Sequence, residues 1–284
     1  MAQHLSERRE KQREVNPKRA AKMREAGLKF EPYVESNATR PKHRVYVGCS
    51  GWYYWEWRDS FYLDVPRTDW FNHYADVFDT VELNASFYSW PTIPTVESWR
   101  RQLGERSFVY TVKVSELITH VHQFKDTEAL VRSFDVIANI LGNRLGCLLY
   151  QTPPGFHFTK ERLADIINQL LPIRRNVVEF RHASWWNEDV YEAFRNAGII
   201  FCSCSAPRLP DELIRTADDV YIRLHGTQKW YTHDYSAHEL ETWALKIQAS
   251  GAKTAWIYFN NTIGGNATSN ALRLRSMLSA RPGE

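Results

Sequence analysis

From Val45 onward the chain alternates between short β-branched or aromatic runs and longer amphipathic segments, and this rhythm constrains the fold more than any other feature. The runs are VYVGCS, DTVELN, FVYTVKV, GCLLYQ, NVVEF, IIFCSC, VYIRLH and TAWIYF. Between them TDWFNHYADVF, TEALVRSFDVIANILG, TKERLADIINQLLP, NEDVYEAFRNAG, SAHELETWALKIQASG and SNALRLRSMLSA place apolar residues at helical spacing, often with Gly just past the end. Repeats of this kind predict an α/β fold, a single TIM (β/α)8 barrel. An open doubly wound sheet is the alternative, but GCSGW offers no GxGxxG phosphate loop between its strand and a helix.

At 284 residues and 43% hydrophobic content, one large domain with a substantial core is the expectation. The apolar runs are far shorter than a membrane span and the N-terminus is too charged for a signal peptide, so the sequence predicts a cytoplasmic protein without membrane attachment. Cys49, Cys147, Cys202 and Cys204 lie in strand-like segments without CxxC spacing and read as reduced core residues. The formal net charge of +3 is uneven: residues 1–44 hold twelve Lys or Arg and six Asp or Glu, which is +6 and leaves −3 for the rest. Residues 1–43 therefore read as a basic extension and 44–284 as the barrel domain. The stretch SERREKQREVNPKRAAKMREAG has helix-forming composition but little apolar periodicity, and Pro17 interrupts it, so by itself it is expected to be flexible or partly helical. A basic arm can touch phosphate backbones or an acidic partner, or only solubilise the chain. Nothing in the sequence signals an oligomeric state.

Strand residues alternate, so one set should face the helices and be apolar while the other enters the barrel and turns polar at the C-terminal mouth. In TVELN, Val81 and Leu83 take the helix side while Glu82 and Asn84 point inward. The same count sends Thr111 and Lys113, then Gln151, Glu179 with Arg181, and Ser203 with Ser205 inward. It adds Ser50, Arg223, His225, Tyr258 and Asn260 at the ends of the remaining strands. Buried polar groups are costly unless paired, so this gathering predicts either a ligand site or an internally satisfied ion network, for instance Glu179 with Arg223 and Glu82 with Lys113.

Two loops add to that reading. GCSGWYYWEWRDSFY packs seven aromatic residues into fifteen, and Trp52, Tyr54 and Trp55 are placed where flat rings can stack on a sugar or a base. Trp57, Phe61 and Tyr62 are expected to pack against the next helix instead. After the last strand, NNTIGGNATSNALRLR presents Gly264 and Gly265 before a helix whose first turn offers backbone N–H groups to an anion, although GG is also ordinary turn chemistry.

The motifs VGCSGWYYWEW, VELNASFYSWP, FVYTVKVSELITH, LLYQTPPGF, VEFRHASWW, YIRLHG and YFNNTIGGNATSNAL together resemble the YecE-like family, also called domain of unknown function 72, over about residues 45–278. The resemblance implies a TIM barrel and imports no activity. Its pattern matches Gly48, Ser50, Gly51, Trp52, Tyr54 and Trp55, then Glu82, Asn84, Phe87 and Tyr88. Further along it matches Lys113, Thr119, His120, Gln151, Pro153, Glu179, Arg181, His182 and Trp185, and finally Arg223, His225, Gly226, Asn260, Asn261 and Asn270. Where the family often has an aspartate after the paired asparagines, this chain has Thr262, and the basic extension lies outside the resemblance.

Glu82 and Glu179 are candidates for general acid and base, His225 is a third, and Lys113 can stabilise developing negative charge or act as a Schiff-base nucleophile. The pattern specifies no cofactor. A divalent metal on Glu82, Glu179 and one of His120, His182 or His225 is the alternative, against which the permanent cations Lys113, Arg181 and Arg223 count. The leading expectation is a hydrolase or lyase acting on an anionic, phosphate-containing small molecule or nucleic acid. The alternatives are a carbohydrate-active hydrolase or isomerase, and a non-catalytic module that binds nucleic acid or a metabolite.

Overall fold

The computed structural model describes residues 2–34 and 44–279; the expected boundary at residues 43 and 44 abuts, and Ala280 falls in, stretches outside the described residues. The elements follow in the order α1 (Ala2–Gly27), β1 (Arg44–Cys49), α2 (Trp70–Val77), β2 (Thr80–Leu83), α3 (Ala85–Tyr88), α4 (Ile93–Leu103), β3 (Val109–Lys113), α5 (Glu128–Leu141) and β4 (Leu145–Gln151). Next come α6 (Lys160–Gln169), β5 (Asn176–Glu179), α7 (Glu188–Ala197), β6 (Ile200–Ser205), β7 (Asp219–Leu224), α8 (Ala237–Ala249), β8 (Thr254–Phe259) and α9 (Asn266–Ser279). Among the described residues every predicted run forms a strand, and the eight lie in the order β1-β8-β7-β6-β5-β4-β3-β2, the strand order of a TIM (β/α)8 barrel. No described helix is long and apolar enough to cross a membrane. All four cysteines are buried thiols.

The chain divides into two compact units, Met1–Thr39 with Leu83–Arg181 and Arg40–Glu82 with His182–Glu284. In the second unit β1 pairs in parallel with β8, β8 with β7 and β7 with β6, and the register sets Gly48 beside Tyr258, Tyr258 beside Arg223 and Arg223 beside Cys204. Gly48 is required here: a Cβ on it would lie 2.3 Å from the Thr80 carbonyl oxygen. Two of the helices in this unit start at a side-chain cap. Asn187 accepts from the Val190 amide at the head of α7, and Ser236 with Glu239 forms a complete capping box on α8.

In the first unit β3 pairs with β4 and β4 with β5, which aligns Lys113 with Leu149 and Gln151 with Glu179. Helix α4 lies in a stretch where only Val96 and Leu103 are buried, too thin a pattern to predict it; Thr92 caps it by accepting from the Thr95 amide. The extension carries one long helix. Helix α1 runs unbroken from Ala2 to Gly27 through Pro17, and Asn16, Ala20 and Met23 are buried along it. Asn16 donates to the Tyr88 carbonyl at 3.2 Å and accepts from the Trp90 amide at 2.9 Å, one residue before the proline. Trp90 is fully buried, donates its indole N–H to Met23 Sδ at 3.4 Å and meets Phe134 edge-on at 5.2 Å. Burying side chains of this size stabilises by about 1.5–3 kcal/mol each, which offsets the roughly 3 kcal/mol cost of a proline inside a helix.

Candidate functional site

Glu82 is fully buried at the end of β2. Its Oε1 accepts from Arg223 Nη2 at 2.6 Å and from Ser50 Oγ at 2.8 Å, and its Oε2 accepts from the Tyr221 hydroxyl at 2.6 Å. A carboxylate removed from water is tolerated when paired and hydrogen-bonded, and this one is both. Its oxygens are committed to donors, an arrangement that suits a structural anchor better than a metal ligand. Tyr221 went unnoticed in the sequence reading, yet it lies two residues before Arg223 on β7 and so shares its face; continuing the alternation one step back would have found it.

His225 and Asn260 meet, the Asn260 Nδ2 donating to His225 Nδ1 at 3.0 Å, with Trp230 packed on the imidazole at 5.1 Å. Tyr258 is fully buried with its hydroxyl 2.7 Å from Thr80 Oγ1. Asn261 donates to the His233 carbonyl at 2.7 Å and to Asn270 Oδ1 at 2.8 Å, and Asn270 donates to Asp234 at 2.9 Å. This pair ties the segment before α8 to α9. His182 accepts from the Ser184 amide at 3.2 Å and caps the single turn Ala183–Trp185, whose Trp185 is fully buried.

The glycine pair after β8 has a packing reason: both residues have positive φ, and a Cβ on Gly265 would meet Ser60 Oγ at 3.1 Å. Much of the aromatic loop is likewise structural. Trp57 and Tyr62 are fully buried, Trp57 donates its indole N–H to the Thr262 carbonyl at 3.1 Å, and Tyr62 stacks on Trp70 at 4.4 Å. Phe61 joins them edge-on, at 4.9 Å from Tyr62, and packs on His73 of α2 at 5.0 Å, as expected. Trp52 is half-buried against Phe71 at 5.1 Å. Tyr54 donates to the Ser50 carbonyl at 2.5 Å, and burial pushes its phenol up to about 12. Tyr53 and Trp55 stay exposed, at 52% and 58%, so the exposed rings are only partly those expected to stack on a ligand.

The first unit carries a second polar cluster. Lys113, at the end of β3, donates to Gln151 Oε1 at 2.7 Å and lies over the face of Phe87 at 4.1 Å. His120 packs edge-on against the same Phe87 at 4.9 Å, and Phe87 in turn meets Tyr88, which is 39% exposed. Asn84, half-buried, stands at the head of α3, the turn that carries both aromatics. At the end of β5, Glu179 is fully buried and Arg181 Nε sits 2.6 Å from its Oε1. The ion pairs thus include Glu179 with Arg181 and Glu82 with Arg223.

His120 Nδ1 is 2.9 Å from Thr119 Oγ1, and among the described residues Nε2 has no hydrogen-bond partner. Burial lowers its imidazole to about 4, the positive charges of Lys113, Arg181 and Arg13 push the same way, and Glu116 opposes them. The ring is therefore neutral at pH 7. Neither Glu116 nor Arg13 was singled out in the sequence. Arg13 forms a bidentate pair with the Glu116 carboxylate, at 3.0 Å and 3.1 Å, across a separation of 103 residues that no local pattern reveals.

Comparison with known proteins supports a family assignment. Over 274 residues the chain is 28% identical to the UPF0759 protein YunF of Bacillus subtilis, covering 82% of this chain and 94% of that protein. A solved DUF72 family protein from Thermotoga maritima superposes with a TM-score of 0.76 at 30% identity, covering 84% of this chain and all of the other. A second, from Enterococcus faecalis, shares the fold with a TM-score of 0.71 at 20% identity, covering 84% of this chain and 96% of that one. The model of the family described as protein of unknown function DUF72 matches residues 46–284, so the chain belongs to the DUF72 family.

Proposed function

We propose that this DUF72 protein is a hydrolase or lyase that binds a phosphate-containing substrate at the strand ends of its first unit. The observation that carries the reading is the Phe87 ring shared by the Lys113 ammonium and the neutral His120 imidazole, with Gln151 holding the ammonium in place. Lys113 and Arg181 supply positive charge that a phosphate oxygen can use, and Gln151 and Glu179 position those two side chains. His120 Nε2 then takes a proton from an attacking water in a hydrolase, or from the substrate in a lyase. The bound anion assists, because a negative charge near a histidine raises its pKa and moves it from about 4 toward the working range. Tyr88 offers an exposed ring at the rim for a sugar or base attached to the phosphate.

The test is thermal stabilisation of wild type and Lys113→Met by inorganic phosphate, a sugar phosphate and a short single-stranded DNA, followed by turnover assays on whichever binds. Wild type should be stabilised by at least one of them, with affinity reduced about tenfold or more in the variant. Stabilisation by DNA alone would assign the phosphate to a nucleic acid, and stabilisation by the sugar phosphate alone to a metabolite. No stabilisation by any of the three at about 100 times a millimolar-range Kd would refute the phosphate reading. Binding without turnover would leave a recognition module in its place.

A further inference from the structure

The basic extension has a geometry that the family pattern does not account for. Along α1 the residues Arg9, Arg13, Asn16, Ala20, Met23 and Gly27 recur at alternating spacings of four and three, which places them on one side of a helix. The later half of this seam is small or apolar and docks in ordinary fashion: Met23 meets Trp90, and Gly27 lies against Val136, where a Cβ would come within 2.3 Å of a methyl. The earlier half carries two arginines, where docking alone calls for apolar residues. Both arginines reach residues bordering the first unit's polar cluster. Arg9 lies over the Tyr88 ring at 4.9 Å, and Arg13 grips Glu116, four residues before His120.

Neither arginine is used up by these contacts. A guanidinium carries five N–H donors, and Glu116 takes one on Nε and one on Nη2 of Arg13, whose side chain remains 49% exposed. Arg9 is exposed and held by a ring face, which leaves its N–H edge for a ligand. Residues 1–45 lie outside the segment matched by the family model, so this feature belongs to this chain's own extension.

We propose that α1 is a wall of the first unit's anion site, and that Arg9 and Arg13 are specificity-determining residues that hold a second negative group on a substrate with more than one phosphate. The inference rests on the proposed function, and its test is arranged to separate the two. Dissociation constants for inorganic phosphate, pyrophosphate and tripolyphosphate are measured by calorimetry on the full-length wild type, on Arg9→Gln/Arg13→Gln, and on Lys18→Gln/Lys22→Gln. The last removes two exposed charges from α1 outside the seam and controls for diffuse electrostatics.

In wild type and in the Lys18/Lys22 variant, affinity should rise about tenfold or more from phosphate to tripolyphosphate; in the Arg9/Arg13 variant it should rise no more than about twofold from that variant's own phosphate value. A wild type that binds no phosphate overturns the proposed function and this inference together. A wild type that binds phosphate but ignores chain length overturns the inference alone, as does a chain-length preference that survives in Arg9→Gln/Arg13→Gln or is lost equally in Lys18→Gln/Lys22→Gln. An NMR titration gives a readout without ligand: Arg13→Gln exposes His120 to the uncompensated Glu116 charge and should raise its midpoint. An unmoved His120 signal would mean that α1 is not coupled to the site, and would also overturn the inference.

Discussion

Glu82→Gln distinguishes an anchoring carboxylate from a catalytic one. In the wild type the carboxylate is fully buried and receives Arg223, Ser50 and Tyr221 at 2.6, 2.8 and 2.6 Å. The amide keeps the shape but removes the charge that balances Arg223, itself 1% exposed, and turns one acceptor oxygen into a donor facing groups that already donate. Removing one partner of a buried pair costs about 3–5 kcal/mol, whereas removing one hydrogen bond to a charged group, as in Tyr221→Phe, costs about 1.5–3 kcal/mol. In a chain of this size roughly 2 °C of Tm corresponds to each kcal/mol, so Glu82→Gln should lower Tm by about 6–10 °C and Tyr221→Phe by about 3–6 °C. Adding Arg223→Met to Glu82→Gln removes the cation that Glu82 paired with and should recover part of the loss, which makes the coupling between the two positions favourable in a double-mutant cycle. The assay is differential scanning fluorimetry with a calorimetric check. Glu82→Gln within about 2 °C of wild type, or a double variant losing the full sum of both single losses, would refute the anchoring argument.

Other expectations follow from the same geometry. His120 is held at about 4 against an ordinary 6.5, so the unfolded chain binds a proton there that the native state refuses between those values. Its contribution is therefore complete above pH 6.5 and is lost as pH falls toward 4; Tm should drop across that window, less steeply in His120→Asn, and equal slopes would contradict the assignment. Gly226 has φ +115°, and a Cβ there would lie 2.5 Å from the Lys229 carbonyl oxygen, so Gly226→Ala should displace the segment that holds Trp230 and cost about 2 kcal/mol or more by chemical denaturation. A loss below about 0.5 kcal/mol would show that this turn relaxes freely.

The strands and most of the flanking helices were legible because their signals are local: β-branched runs, helical spacing and caps such as Asn187 and Ser236. The inward polar set was legible for the same reason, since alternation along TVELN and VYIRLH suffices to send Glu82 and Arg223 to one kind of surface. Partners were not legible. Which cation meets which carboxylate depends on side-chain reach, as Glu179 and Arg181 show by pairing within one segment. The docking of the extension was not legible because its seam mixes Arg, Asn, Ala, Met and Gly: a helix docked half through hydrogen bonds has little apolar periodicity to display.

The partners also divide the two candidate carboxylates. Glu82 is held by Ser50, just past the end of β1, and by Tyr221 and Arg223 of β7, so freeing it for proton transfer would break several bonds at once, the one to the buried Arg223 among them. The Arg181 guanidinium is bound to Glu179 by a shorter path along the chain and is 9% exposed, which gives an incoming anion some access to it. A phosphate drawn to Arg181 and Lys113 adds negative charge where His120 is held neutral by burial and by nearby positive charge, so binding and protonation of the imidazole should be coupled. Relative to His120→Asn, wild-type phosphate affinity should therefore gain as pH falls from 7 toward 5, and the same gain should persist in Glu82→Gln; parallel pH profiles in wild type and His120→Asn would refute the coupling.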